Sequence, residues 1–249
     1  MKAVGYITFG AFLLFLSATM TTATEYPPYP PGPVARLSYV SGSVSIQPRG
    51  VGNWVIGNVD HPLAVADNVW TDKNSRAELR VGTGVLRMNG ETSLTLSNFG
   101  RGTVQVMLHQ GTLNLRVFHL FEGEIYEVDT PTLAFTLQKS GDYRFDVPSG
   151  GDTTLVTVWK GEGTATGDAP AVRVRAHERA RFTGTALAHE IHPAPAPDGF
   201  DGWCNVRDAR ESHPPFGPYV APGVIGYPAP YPPYRPWVWV GPWGWTWIR

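Results

Sequence analysis

Between Thr103 and Val147 apolar and polar residues alternate over four successive stretches. Val104, Val106 and Leu108 alternate with polar neighbours, and Leu113, Leu115 and Val117 do so after Gly111. Leu133, Phe135 and Leu137 repeat the pattern, and Tyr143, Phe145 and Val147 close it. A period of two puts every second side chain on one face, which is the signature of half-buried strands and is incompatible with an amphipathic helix. The stretch therefore reads as strand, glycine turn at Gly111, strand, acidic connector, strand, glycine turn, strand. Leu113, Leu115, Phe135 and Phe145 are expected to point into one interior.

The same texture extends on both sides. ARLSYVSGSVSIQP reads as strand, Ser-Gly turn, strand. In RAELRVGTGVLRMNGETSLTL, Leu79 and Val81 alternate, Gly82 and Gly84 break the run, and Leu86 and Met88 alternate again. Asn89-Gly90 tolerates φ > 0 at both positions and predicts a hairpin, with Leu94 and Leu96 on the returning strand. An apolar strand residue followed two or three positions later by glycine recurs at Gly42, Gly111 and Gly161, at unequal intervals. That spacing suggests one strand-turn-strand solution used repeatedly, without a strict solenoid period. No useful 3.6-residue period occurs from Val34 to about Thr183, so the fold class is all-β, a sandwich or a roll of short stacked strands.

The flanks differ in kind. Residues 1–24 have the form of a secretory signal: Lys2, an uncharged apolar run from Ala3 to Ala18, and small residues to a cleavage point after Ala23. The run is shorter than the roughly 20 residues a membrane-spanning helix needs. Residues 25–33, EYPPYPPGP, form a stiff Pro/Tyr spacer. The β domain is expected over 34–184 and an Ala/Pro linker over 185–199. The Pro/Tyr/Trp-rich tail, 200–249, is expected to be irregular, because proline at that density opposes sheet and helix alike. The linker is expected to leave this tail independent of the β domain.

Charge and cysteine content exclude some roles. With 20 basic and 21 acidic side chains the formal net charge is -1, which gives no electrostatic case for nucleic acid. One cysteine, Cys204, cannot form an internal disulfide, so the domain must rest on its apolar core. Isolated as it is in sequence, that thiol lacks the base and orienting group a nucleophile needs.

Few residues suggest chemistry. His189-Glu190-Ile191-His192 falls one residue short of the H-E-x-x-H spacing and is followed by Pro193, so it reads as solvated rather than metal-binding. Glu122, Glu124, Glu127 and Asp129 form an acidic run. It could supply a pair of hydrolase carboxylates, ligands for calcium, or simply a charged edge that discourages strand pairing. No catalytic, cofactor-binding or metal-ligating residue is assigned. Trp237, Trp239, Trp243, Trp245 and Trp247 are the candidate ligand or partner contacts, since exposed aromatics stack on sugar faces and anchor protein interfaces.

The stretches VARLSYVSGSVSIQP, SRAELRVGTGVLRMNGETSLTL, QGTLNLRV, YEVDTPTLAFTLQKSGDYRFDV and TLVTVWKGEGTATG, in that order, resemble the FecR-domain family of bacterial exported proteins. FDGWC and PWGWTW resemble its subgroup with a Pro/Trp-rich C-terminal part. Thr130-Pro131 matches the family's central motif, but Asp142-Tyr143 follows Gly141 where the family pattern has threonine. That departure removes the basis for assigning the turn threonine a role. The resemblance implies an exported all-β domain for sensing or binding, and supplies no catalytic residues. Family members that act on sigma factors carry a cytoplasmic segment before their membrane helix. Only Met1-Lys2 precedes the apolar run here, so that role is not expected to carry over. The expectation is a non-enzymatic envelope module in the periplasm or at the cell surface. Its partner would be an envelope protein or a cell-wall polymer, with no cofactor and no stable membrane span. The alternative is a cell-wall-active hydrolase using an acidic pair between Glu122 and Asp129.

Overall fold

The structure, a computed structural model, describes residues 35–100, 102–211, 237–239 and 245–247. The signal segment, the Pro/Tyr spacer and Trp243 lie outside the described residues. In chain order the strands are β1 (Ala35–Ser41), β2 (Val44–Gln47), β3 (Val55–Ile56), β4 (Pro62–Leu63), β5 (Asn68–Thr71) and β6 (Arg76–Val81). Next come β7 (Gly84–Met88), β8 (Thr92–Gly100), β9 (Thr103–Val117), β10 (Ile125–Asp129), β11 (Ala134–Leu137) and β12 (Gly141–Val147). The domain finishes with β13 (Thr153–Lys160), β14 (Glu162–Thr166), β15 (Val172–Arg175), β16 (Glu178–Thr183) and β17 (Ala188–Pro193), then helix α1 (Gly199–Glu211).

Two sheets face each other as a sandwich. One runs β4-β1-β6-β7-β9-β12-β13-β16-β17. The other runs β3-β2-β5-β8-β9-β10-β11-β14-β15. Strand β9 belongs to both: its first half pairs with β8 and β10, its second with β7 and β12. Of these pairings, β9 with β10 is parallel.

This layout explains the repeated glycine. Gly42, Gly111 and Gly161 have φ of 77°, 96° and 96°, and each marks the point where the chain leaves one sheet for the other. Gly111 is therefore a bend within one long strand, not the turn between two strands that the sequence suggested. A Cβ there would lie 2.4 Å from the Thr92 hydroxyl, and one on Gly161 would lie 2.1 Å from the Tyr143 hydroxyl. Left-handed backbone and close approach both select glycine.

The hairpin expected at Asn89-Gly90 is not formed. β7 and β8 lie in different sheets and do not pair, so this dipeptide is another corner between layers. The two-residue hairpin is instead at Gly82-Thr83, where Val81 pairs with Gly84 and Gly82 has φ 56°. Tyr126 fixes it: its hydroxyl oxygen accepts a hydrogen bond from the Thr83 amide at 2.8 Å.

The core lies between the sheets. Leu113, Leu115, Phe135 and Phe145 all sit in it, and the Phe135 and Phe145 rings meet edge to face at 5.5 Å. Burial of this apolar surface is the main stabilising term, as a chain without disulfides requires.

Two segments depart from the expected linker and irregular tail. Ala188–Pro193 is an edge strand in register with β16 along its whole length. The run 199–211 contains no proline and forms α1. Asp198 caps it: its Oδ1 accepts from the Phe200 and Asp201 amides at 2.8 and 3.0 Å, and Asp201 Oδ2 accepts from the Asp198 amide at 2.9 Å. This reciprocal cap satisfies donors a helix start otherwise leaves open. Asp201 in the first turn and Arg210 in the last suit the helix dipole. Further on, Trp237–Trp239 pairs antiparallel with Trp245–Trp247, with Trp237 opposite Trp247 and Trp239 opposite Trp245.

Candidate functional site

The outer face of the first sheet carries a row of polar side chains in strict register. Tyr39, Glu78, Arg87, Asn114, Arg144, Thr157, Arg179 and His192 are each paired with the next across adjacent strands. Each is the polar member of an alternating strand, so the pattern that buries Leu79, Leu86 and Leu115 turns these residues outward. All but the exposed His192 are nevertheless withdrawn from solvent, wholly or in part. Helix α1 lies across the row, with Phe200 and Cys204 buried on its inner side.

The contact between helix and sheet is mainly ionic. Glu78 and Arg87 are both 0% exposed, and Arg87 Nε donates to Glu78 Oε2 at 3.0 Å. From the helix, Arg207 donates to both Glu78 oxygens, and Asp208 lies 2.7 Å from Arg87. Ser38 adds a hydrogen bond to Glu78 Oε1 at 2.8 Å. Burial pushes the Glu78 carboxyl up, but the bonds from Arg207, Arg87 and Ser38 outweigh it and bring the group down to about 2. At the other end of the helix, Arg144 donates to Asp198 at 2.7 Å and Asp201 at 2.9 Å, and is held from its own strand by Asp146. Asp142 lies under the same cover, where burial raises its carboxyl against a 2.6 Å hydrogen bond from Asn114. Burial also pushes the Cys204 thiol up to about 12, so it is an inert apolar filler and not a nucleophile.

Where the helix meets the edge of this sheet a groove of about 550 Å³ opens. Tyr39 on β1 and Trp203 on α1 form one wall, with ring centroids 5.6 Å apart. Arg76 lies over the Trp203 ring at 5.0 Å. The opposite wall is made by two turns, one with Lys73 and Asn74, the other with Asn89, Gly90 and Glu91.

The residues singled out in the sequence fall elsewhere. Glu127 and Asp129 lie on the outer face of the second sheet, where Gln105 Nε2 donates to both at 2.9 Å and Thr136 donates to Glu127 at 2.6 Å. Burial, then the neighbouring Glu127, raises the Asp129 carboxyl. Glu124 accepts from the Phe121 amide, and Glu122 is exposed in the turn before it. Glu124, Glu127 and Asp129 thus tie strands and a turn together. His189 and His192 differ by an odd number of positions on β17 and so face opposite sides of the sheet. Among the described residues no group of three His, Cys, Asp or Glu could hold a metal, and no helix is long and apolar enough to cross a membrane. The side chains of Trp237, Trp239, Trp243, Trp245 and Trp247 lie outside what the structure describes.

The polar row and the groove were not foreseen. Its members are the polar residues of alternating strands. The Asp198-x-x-Asp201 spacing before a proline-free run was the available signal for the helix that covers it.

No curated protein matches the chain. Two crystal structures of a candidate anti-sigma factor from Parabacteroides distasonis ATCC 8503, at 2.50 and 1.65 Å resolution, are similar at 14% and 13% identity. Each has a TM-score of 0.46 and covers 52% of this chain, and the chain spans 60% of their length. A likeness that distant carries no argument about this protein. The family model described as FecR protein matches residues 67–162, from the end of the turn before β5 to the first residue of β14. The strands on either side of the matched residues complete both sheets of the sandwich.

Proposed function

We propose that this is a non-enzymatic, exported binding, sensing or scaffold module of the cell envelope, located in the periplasm or at the cell surface. Residues 1–24 act as a cleaved signal and 25–33 as a spacer. The β domain and α1 bind an envelope protein or a cell-wall polymer, and Trp237, Trp239, Trp243, Trp245 and Trp247 add an auxiliary contact. One contrast supports this reading. Glu127 and Asp129 are engaged in holding the second sheet together, whereas the side chains of Lys73, Asn74 and Asn89, which have no hydrogen-bond partner among the described residues, gather in the groove on the other sheet. Structural hydrogen bonds hold the first set in place, and the second is left available to a ligand.

The test is co-sedimentation of the full protein with purified cell-wall polymer, together with capture from envelope extracts. Retention is expected on one of them. Replacing the five tail tryptophans by alanine should weaken retention about tenfold without lowering the melting temperature. A protein that neither pellets with the polymer nor retains an envelope protein has lost the basis of this reading.

A further inference from the structure

The geometry points to the groove between Tyr39 and Trp203 as a binding site for an acidic saccharide, a sugar chain whose rings carry carboxylates. This deepens the binding-module reading and rests on it, but it uses the β domain and α1 and none of the tail tryptophans.

The groove gathers polar groups that the protein itself leaves without partners. Among the described residues, the Tyr39 hydroxyl, the Lys73 ammonium, the side-chain amides of Asn74 and Asn89 and the Trp203 indole N–H have no hydrogen-bond partner. Among the described residues, the Arg76 guanidinium has only its place over Trp203 at 5.0 Å and Phe200 at 5.9 Å. This contrasts with the row beside it, where Glu78, Arg87 and Arg144 are all paired. The backbone beneath the far wall is close-packed. A Cβ on Gly90 would lie 3.0 Å from the Asn74 amide, so the two turns of the far wall pack on each other. Asn74 and Glu91 hold left-handed backbone, φ 61° and 56°, which asparagine adopts readily and which costs energy for glutamate.

The kinds of group present select the ligand. Amides and hydroxyls donate and accept at once, as sugar hydroxyls do in return. Tyr39 and Trp203 are themselves packed, with Arg207 over the two rings at 4.2 and 5.4 Å and Phe200 stacked on Trp203 at 5.7 Å, so they offer the ligand the Tyr39 hydroxyl and the indole N–H. Lys73 and Arg76 against Glu91 leave one net positive charge, so a ring bearing a carboxylate is favoured over a neutral one. The volume of about 550 Å³ lies within the range of roughly 300–1,000 Å³ usual for small-molecule sites.

Calorimetric titration of the full protein with trigalacturonate, maltotriose and a triglutamate peptide tests the assignment. Trigalacturonate should bind, with the neutral sugar and the acidic peptide each at least tenfold weaker. The Lys73→Ala/Asn89→Ala double variant should lose at least tenfold in affinity for trigalacturonate with an unchanged melting temperature. Replacing the five tail tryptophans should leave that affinity as it was. No binding of trigalacturonate, equal binding of maltotriose or of the peptide, or an unaffected double variant overturns the assignment. If the full protein still pellets with cell-wall polymer in those cases, the site is wrong while the binding-module reading stands.

Discussion

Replacing Glu78 by glutamine should destabilise the protein by about 2–4 kcal/mol at pH 7. The carboxylate is wholly buried between Arg87 of the sheet and Arg207 of the helix, with Ser38 beside it. Its folded pKa of about 2 lies below the ordinary 4.5, a difference worth roughly 3 kcal/mol once the unfolded chain is ionised. Glutamine keeps the shape but removes the charge, leaving Arg87 with Asp208 and weakening the hold of Arg207 on the sheet. Because the folded pKa is depressed, this contribution is complete above pH 4.5 and is lost as pH falls toward 2. The gap between the native protein and the variant should therefore narrow across that window. Guanidinium unfolding followed by circular dichroism at pH 7, 4.5 and 3 measures it. A difference below about 0.5 kcal/mol at pH 7, or one that does not shrink at pH 3, would show that α1 is not held by this charge cluster.

Three further outcomes are expected. His61 is buried, and burial lowers its ring pKa from 6.5 to about 4, so the folded state keeps it neutral while the unfolded state takes a proton. Stability should fall as pH drops from 6.5 toward 4, and His61→Leu should flatten thermal melts over that interval. Phe135→Ala should cost roughly 3–5 kcal/mol by chemical denaturation, since the ring is 0% exposed and packs on Phe145 and Tyr143; an unaltered midpoint would mean that β11 is out of register. Mass spectrometry of the protein recovered from an envelope fraction should give a chain starting near Thr24, and an intact Met1 in a cytosolic fraction would contradict export.

The strands were legible because alternation reports which face is buried, and Leu113, Leu115, Phe135 and Phe145 fell where it put them. Which strands pair was not legible. Asn89-Gly90 satisfies the local chemistry of a hairpin, yet local chemistry cannot say whether the next strand returns in the same sheet or crosses to the other. The glycines at 42, 111 and 161 carried the recurring feature, but its meaning, a change of sheet, depends on the partner layer. Proline content misled over 199–211, because the average across the tail hid a proline-free stretch with its own cap. Alternation alone turns Glu78, Arg87 and Arg144 away from the core, and only the helix shows what covers them. The groove depends on the same helix, since Trp203 is one of its walls.

The central claim is that this protein binds envelope material without cleaving it. The most direct measurement is a pelleting assay with purified cell-wall polymer, in which the amount of polymer in the pellet is followed over time beside the amount of protein. The account predicts that the protein moves into the pellet in proportion to polymer and that the polymer mass stays constant. A pellet that loses mass while the protein is present, with the loss abolished by Glu127→Gln or Asp129→Asn, would contradict it and establish a hydrolase.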